Sequence, residues 1–326
     1  MRIAINGMGR IGRLLFRRLV LQPEVQIVAV NDIMDTANLA YLLKYDSVYG
    51  KLPFTVELDE NKLKINGQQI PVYSQPNPEQ LPWKELDVDV VLECSGRFTT
   101  RDLASKHLVA GAKKVLLSTT GSEDIPLLIY GYNYTVAISE TNIISPGGCM
   151  TNCSTQLIQL MDNFGIEAVQ IHVIHSYTSR QELVDAPHRD FRRGRAAAES
   201  IIPVPVDLAD SLERLFPLLK NKIATITTRV PVANGAFGDF TFQLKREVNK
   251  AEVNEIFKEA SLGELRGIVE YTEEPLVSLD IKQNSHSAIV DGSLTTVIGN
   301  QVKVFAFFDN EYGYTSRMID WLKKWQ

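Results

Sequence analysis

Cys149 follows Ser145-Pro146-Gly147-Gly148 and opens a segment in which Leu157, Leu160, Met161 and Phe164 recur with helical spacing. A cysteine at a helix start has its thiolate stabilised by the amides of the first turn. A thiolate can attack an aldehyde, and the thiohemiacetal so formed can give up hydride to a nicotinamide, leaving a thioester. That step needs a base for the hemiacetal hydroxyl. His175, at the end of the apolar run Val169–Ile174, is the candidate. Imidazole titrates near neutral pH and, paired with Cys149, can raise the thiolate fraction. Each residue also has an ordinary reading, because free cysteines are most often small buried hydrophobes and lone histidines core or surface residues. Cys94 is read in that way, and Cys153, one helical turn after Cys149 on the same face, is read as packing.

A hydride acceptor needs its own site. Gly7-Met8-Gly9-Arg10-Ile11-Gly12 is a GxGxxG between a strand, Arg2–Ile5, and a helical pattern over 12–20. The first glycine permits the tight turn, the second lets backbone approach a pyrophosphate, and the third lets helix and strand pack closely. The phosphates then meet the helix N-terminus. Asp32 ends the next strand, where a carboxylate accepts hydrogen bonds from a ribose diol and repels a 2′-phosphate, so NAD is expected rather than NADP.

The elements that must hold these groups fall into two sets. Up to about residue 145, near-continuous apolar strands alternate with helical stretches: Val25–Asp32, Val88–Cys94, a helix near Leu103–Val109, Lys114–Ser118 and Leu127–Tyr130. Such alternation predicts a parallel sheet covered on both faces. Beyond Glu167, period-two alternation over Val169–Ser176, Ile223–Val230, Gly238–Leu244 and Val302–Phe308 predicts a mainly antiparallel sheet. The expected fold class is α/β: a doubly wound Rossmann domain over 1–148 and an α+β catalytic domain over 149–313. A C-terminal helix over 314–326 is expected to return to the first domain. The 326 residues, 44% hydrophobic, suffice for two cores, and a net charge of -5 suggests neither nucleic acid nor an anionic membrane as partner. No run of eighteen apolar residues and no leader-like start occur, so a cytoplasmic location is expected. Three cysteines, an odd number, argue against a disulfide framework, and no zinc-ligand spacing is present, so no metal is expected.

The stretches INGMGRIGR, LAYLLKYDSVYG, AGAKKVLLS, CMTNC, HSYT, FRRGRAAAESIIP, TRVPV and DNEYGY run through essentially the whole chain. Together they resemble the glyceraldehyde-3-phosphate dehydrogenase family and its erythrose-4-phosphate dehydrogenase branch. The resemblance implies Cys149 as nucleophile, His175 as base and Asn310 as the group orienting the nicotinamide carboxamide. It implies that Gly7, Gly9, Arg10, Ile11, Asp32, Ser95 and Ser118 contact NAD, beside Gly12 of the glycine motif. It implies a sugar-phosphate aldehyde as substrate, held at its phosphate by Thr178 and Arg229. It further implies a homotetramer in which the loop around Pro187 reaches a neighbour's cofactor.

The chain departs from that pattern around a second, inorganic phosphate. Gly148 and Met150 stand where the family typically has serine and threonine, and Val204-Pro205-Val206-Asp207 replaces a threonine-rich stretch. Arg180 stands where an aspartate is usual and is a further candidate for binding phosphate. Lost hydroxyls and a carboxylate weaken an anion site, which favours hydrolysis of the thioester and the erythrose-4-phosphate branch. The alternative is a phosphorylating glyceraldehyde-3-phosphate dehydrogenase. A reading from another class is a catalytically silent NAD-binding or thiol redox-sensing protein.

Overall fold

The computed structural model describes residues 1–135 and 141–325, and Gln326 of the expected terminal helix lies outside them. The chain forms two compact units, one from Met1–Gly148 plus the segment from Arg317 onward, the other Cys149–Ser316.

The first unit runs β1 (Arg2–Asn6), α1 (Arg10–Leu19), β2 (Gln26–Asn31), α2 (Thr36–Lys44), β3 (Tyr45–Asp46), β4 (Gly50–Lys51), β5 (Val56–Asp59), β6 (Lys62–Ile65), β7 (Gln68–Tyr73), β8 (Val90–Glu93), α3 (Arg101–Val109), β9 (Lys114–Leu117) and β10 (Ile143–Ile144). Its large sheet has the order β10-β9-β8-β1-β2-β7-β6-β5. From β10 across to β7 every pair is parallel. Of these, β1, β2, β8, β9 and β10 are almost wholly buried, so they read as nearly unbroken apolar runs. The chain leaves β1 toward β2 on one side and returns to β8 on the other. The crevice beyond the ends of β1 and β8 is therefore the switch point where such sheets bind ligands.

Three features depart from the sequence expectation. Strands β5, β6 and β7 form an antiparallel extension of the parallel sheet. Its β6–β7 turn is Asn66-Gly67, with φ of 48° and 78°, the conformation of an Asn-Gly hairpin. Leu127–Tyr130 is not a strand. Only Leu127 makes a bridge, to Ser145. The Asn133 side chain takes up this segment's backbone groups instead, donating to the Leu127 carbonyl at 2.9 Å and accepting from the Ile129 amide at 2.6 Å. The last helix, α7 (Tyr312–Lys324), begins two residues before the expected start at 314. The Asp309 carboxylate accepts the Glu311 and Tyr312 amides at 3.0 and 2.9 Å and so caps an earlier start. The part of α7 within the first unit buries Trp321 edge-on against Tyr130, with ring centres 5.7 Å apart.

The second unit adds α4 (Cys149–Met161), β11 (Ile166–Ser176), β12 (Ile202–Val204), α5 (Leu208–Leu215), β13 (Ile223–Val230), β14 (Ala236–Leu244), α6 (Lys250–Leu262), β15 (Val269–Thr272), β16 (Ala288–Asp291), β17 (Thr296–Ile298) and β18 (Gln301–Phe308). The sheet order is β12-β13-β11-β14-β18-β16-β15, with β17 on β18. It is mainly antiparallel, but β11 runs parallel to β13. Phe240, Phe242, Val302 and Val304 alternate inward and are fully buried. The long central strand β11 delivers His175 and Ser176 at its end, and the parallel register sets His175 directly opposite Arg229 of β13.

Candidate active site and dinucleotide crevice

In the second unit, Cys149 is the first residue of α4, with the amides of Cys149 and Met150 turned toward its sulfur. Its Sγ lies 3.7 Å from Nε2 of His175. Phe308 packs edge-on against the imidazole, which is 3% exposed. Behind the ring, Arg229 donates from Nη1 to His175 Nδ1 at 2.5 Å and to the Ser176 carbonyl at 3.2 Å. That carbonyl is also 2.8 Å from Nδ1. Arg229 is buried, its Nε has no hydrogen-bond partner among the described residues, and the two groups its Nη1 meets carry no negative charge.

Burial pushes the Cys149 thiol up to about 11, with Arg229 and the two amides pulling it back and Glu311 pushing it further. Burial, then the Arg229 charge, hold His175 down to about 3. The chain by itself therefore favours a neutral thiol beside a neutral imidazole. Burial is the largest influence against the imidazolium–thiolate pair expected from residue types, while Arg229 disfavours the imidazolium and favours the thiolate. Arg229 itself is lowered to about 10 by burial and by the charges of Arg193 and Arg180, while a Cys149 thiolate would raise it. A buried cation with no counterion among the described residues, beside two further cations, is a receptor for an anion.

Thr178 is half-buried in the turn after β11, its hydroxyl 3.4 Å from the Arg180 amide, and Arg180 is exposed. Asn310 is anchored through Oδ1, which accepts from the Gly235 amide at 2.8 Å and from Ser176 Oγ at 3.3 Å. Its Nδ2 is thereby left facing away as a donor. Asp207 is exposed at the start of α5, and a side chain at Gly148 would enter open space.

In the first unit, Gly7, Gly9, Asp32, Ser95, Arg97 and Phe98 are among the residues lining a crevice of about 240 Å³. Gly7 has φ +92°, and a Cβ there would strike the Ser95 backbone. A Cβ at Gly12 would strike the Gly7 carbonyl, whereas one at Gly9 would meet nothing within 4 Å. The first and third glycines thus serve the packing, and the second keeps the crevice open above the start of α1. Gly9 caps that helix without a side-chain hydrogen bond. Asp32 accepts from the Met8 amide at 2.5 Å and the Met34 amide at 2.9 Å, which ties the glycine loop to the end of β2. Arg10 pairs with Asp46 at 2.6 Å, and Ile11 is half-buried. Ser118 bonds Cys94 through its side chain. Cys94 lines the crevice and is half-buried, not in the core as expected, because it stands just past the end of β8 where the sheet opens. Cys153 is fully buried.

Two family descriptions match the chain: the NAD binding domain of glyceraldehyde 3-phosphate dehydrogenase over residues 1–101, and its C-terminal domain over 148–310. The chain is 41% identical to glyceraldehyde-3-phosphate dehydrogenase 2 of Bacillus subtilis (strain 168), over 99% of its length and 96% of the relative's. It is 43% identical to the glyceraldehyde-3-phosphate dehydrogenase of Geobacillus stearothermophilus over 98% and 96%. It is 44% identical to that of Streptomyces coelicolor, again over 98% and 96%. The chain belongs to the glyceraldehyde-3-phosphate dehydrogenase family. It is an NAD-dependent dehydrogenase, with the family's NAD-binding parallel-sheet domain and mainly antiparallel second domain.

The crevice fits NAD on its own chemistry: an open approach at Gly9, an uncapped helix start for the pyrophosphate, and Asp32 at the ribose position. Sequence reasoning missed the groups beneath it. Glu93, 2% exposed, accepts from the Ser95 amide at 2.8 Å and from Asn6 Nδ2 at 2.5 Å, and contacts His107 Nε2 at 2.9 Å. A lone glutamate closing the apolar run Val90–Leu92 was the available signal. Asp46, which steers Arg10, gave none, since only the fold brings the two near.

Proposed function

We propose that this dehydrogenase oxidises glyceraldehyde 3-phosphate through a thioester on Cys149 and transfers the acyl group to inorganic phosphate. The observation that carries this reading is the line Cys149–His175–Arg229: a helix-start thiol 3.7 Å from an imidazole whose other side meets a buried arginine with no counterion among the described residues. Arg229, with Thr178, would take the substrate phosphate. The sulfur would bond to the aldehyde carbon, and His175 Nε2 would take the hemiacetal proton as that carbon loses hydride. Bound NAD supplies the hydride acceptor, with Asn310 Nδ2 available to orient its carboxamide. Attack by a phosphate oxygen on the thioester carbon would then break the C–S bond, giving an acyl phosphate and returning the sulfur to Cys149. The positive field of Arg180, Arg193 and Arg229 supports a second anion in this region, and the relatives' names favour the glyceraldehyde-3-phosphate branch.

Gly148 and Met150, where the family typically carries hydroxyls, favour a second reading: erythrose 4-phosphate as substrate and water as acyl acceptor. Steady-state NADH formation with each aldehyde, with and without inorganic phosphate, separates the two. Strict phosphate dependence with glyceraldehyde 3-phosphate is expected. NADH formation that persists without phosphate and yields the free acid would establish the hydrolytic reading instead.

The homotetramer is part of the same proposal. Leu183, Val184, Phe191 and Ile201 are 65, 74, 88 and 73% exposed in the loop that carries Pro187, an apolar display suited to a neighbouring subunit. A cytoplasmic location is proposed likewise. Among the described residues no helix is long and apolar enough to cross a membrane.

A further inference from the structure

Glu93 closes β8 as a buried carboxylate beneath Ser95, which lines the dinucleotide crevice, and its hydrogen-bond partners fix its charge. The Gln75 amide can only donate and the Gln75 carbonyl only accept, and both bind the Asn31 side chain, at 2.8 and 2.9 Å. Asn31 is thereby oriented, its Nδ2 gives to Asn6 Oδ1 at 2.7 Å, and Asn6 Nδ2 is left to donate to Glu93 Oε2 at 2.5 Å. From the other side, Trp83 Nε1 donates to His107 Nδ1 at 3.0 Å, so the imidazole carries its proton on Nε2 and donates it to the same Oε2 at 2.9 Å. The Ser95 amide and hydroxyl meet Oε1. Three of these four partners can only donate, so Glu93 accepts throughout as a carboxylate. Among the described residues the one ionisable group paired with it is His107, which the Trp83 N–H keeps neutral. Glu93 is a buried anion without a paired cation.

The place of Glu93 in the sheet says what that anion faces. Strand β1 has β2 on one side and β8 on the other. A dinucleotide crosses such a switch point with its pyrophosphate at the start of the first helix and its adenine ribose at the acid after the second strand. Here those are α1 and Asp32, so the nicotinamide half extends to the β8 side, which Glu93 closes. The field of Glu93 reaches the crevice wall: after burial, it is the next cause that pushes the Cys94 thiol up. A nicotinamide ring is cationic in NAD+ and neutral in NADH, and the rest of the molecule is the same in both. We propose that Glu93 sets the preference of the crevice between the two redox states of the cofactor, its buried charge holding NAD+ more tightly than NADH. The hydrogen bonds to Ser95 position either form alike and do not produce this preference. The field acts at full strength because no cation is paired with the carboxylate and burial shields it from salt. Its effect on turnover is directional. Once hydride has been transferred, the ring has lost the charge that Glu93 favours, and exchange of NADH for NAD+ becomes downhill.

Calorimetric titration of the full chain with NAD+, NADH and ADP-ribose tests this. Glu93→Gln should lower the ratio of NAD+ to NADH affinity about tenfold, which is about 1.4 kcal/mol. The midpoint potential of the bound two-electron couple should rise by about 30 mV in step. Unit charges exert such an effect over roughly 12 Å at an effective dielectric of about 20. ADP-ribose, which lacks the ring, should weaken only as much as NADH. Glu93→Asp keeps the charge while shifting its contacts, and Ser95→Ala removes a positioned group, so both should weaken NAD+ and NADH alike and leave the ratio unchanged. Equal weakening of the two cofactors in Glu93→Gln would overturn the proposal and leave Glu93 a packing anchor. A fall in the ratio with Glu93→Asp as large as that with Glu93→Gln would overturn it too, since position and not charge would then be the cause. The unmodified protein supplies a measurement that needs no variant to fold. Its preference for NAD+ should be present at low salt and persist at high salt, because a buried charge is screened far less than a surface one. No preference, or one that disappears as salt is added, would likewise overturn the proposal.

Discussion

Two buried histidines, one in each unit, meet a donor at Nδ1. For His107 the donor is Trp83 Nε1 at 3.0 Å, and the opposite nitrogen faces the Glu93 carboxylate at 2.9 Å. Donor on one side and acceptor on the other allow one neutral tautomer. Around them, Asn6, Asn31 and Ser95 complete a closed set in which each group finds its complement: Asn31 Nδ2 gives to Asn6 Oδ1 at 2.7 Å, and Asn31 Oδ1 takes the Gln75 amide at 2.8 Å. His175 has a donor and an acceptor competing for one nitrogen, and the arginine behind it keeps an unpaired Nε. Buried polar networks that are fully satisfied rigidify a fold, and partly satisfied ones store demand for a partner. The crevice beneath the cofactor has the character of a fixed platform, and the cysteine cluster that of a site awaiting a ligand.

The sharpest way to break this contrast is at the sulfur. Cys149→Ala should reduce aldehyde oxidation to background, because no other residue supplies the thioester. NAD affinity, read by fluorescence quenching, should stay close to that of the unaltered protein. Cys153→Ala should keep substantial turnover, since that side chain is fully buried one turn away. An active Cys149→Ala protein, or an inactive but folded Cys153→Ala protein, would reverse the assignment.

A smaller effect is expected from the platform. In Glu93→Gln an amide donor replaces one of two acceptor oxygens that together face the Ser95 amide, Asn6 Nδ2 and His107. At least one buried donor loses its partner, costing about 1–3 kcal/mol. Thermal denaturation should show this as a lower Tm, with weaker NAD binding because Ser95 is no longer held. If Tm and NAD affinity were both unchanged, the network would not be the rigid support described here.

How much of this was readable in the residues follows the range of each interaction. The glycine motif, the strand ending in Asp32 and the helix opening at Cys149 are local patterns, and each lies where its pattern places it. The antiparallel hairpin over 56–73 went unread because its strands are short and polar, although Asn66-Gly67 marks its turn. Leu127–Tyr130 has a strand's composition, but Asn133 satisfies its backbone in place of a neighbouring strand. The residue types suggested an ion pair between Cys149 and His175. The parallel pairing of β11 with β13, which no local signal reports, sets Arg229 behind the imidazole, where its charge adds to burial in disfavouring the imidazolium.

The last test uses pH and should have the smallest effect. His175 is held down to about 3 in the folded chain against an ordinary 6.5. Between those values the unfolded chain binds a proton that the folded chain refuses, so stability is complete above about 6.5 and falls as pH falls through the window. Over the first pH unit below that point the loss is at most about 1.4 kcal/mol, one pKa unit's worth of free energy. Cys149 gives the opposite limb. Its thiol, raised from 9.0 to about 11, retains a proton that the unfolded chain has released, so stability falls as pH rises between those values. Urea unfolding across pH should therefore show His175→Asn flattening the acid limb and Cys149→Ala flattening the alkaline one. Glu93→Gln should lower the whole curve without removing either limb. If the acid limb of His175→Asn ran parallel to that of the unaltered protein, His175 would not be the strained group, and the contrast between the two histidines would fail.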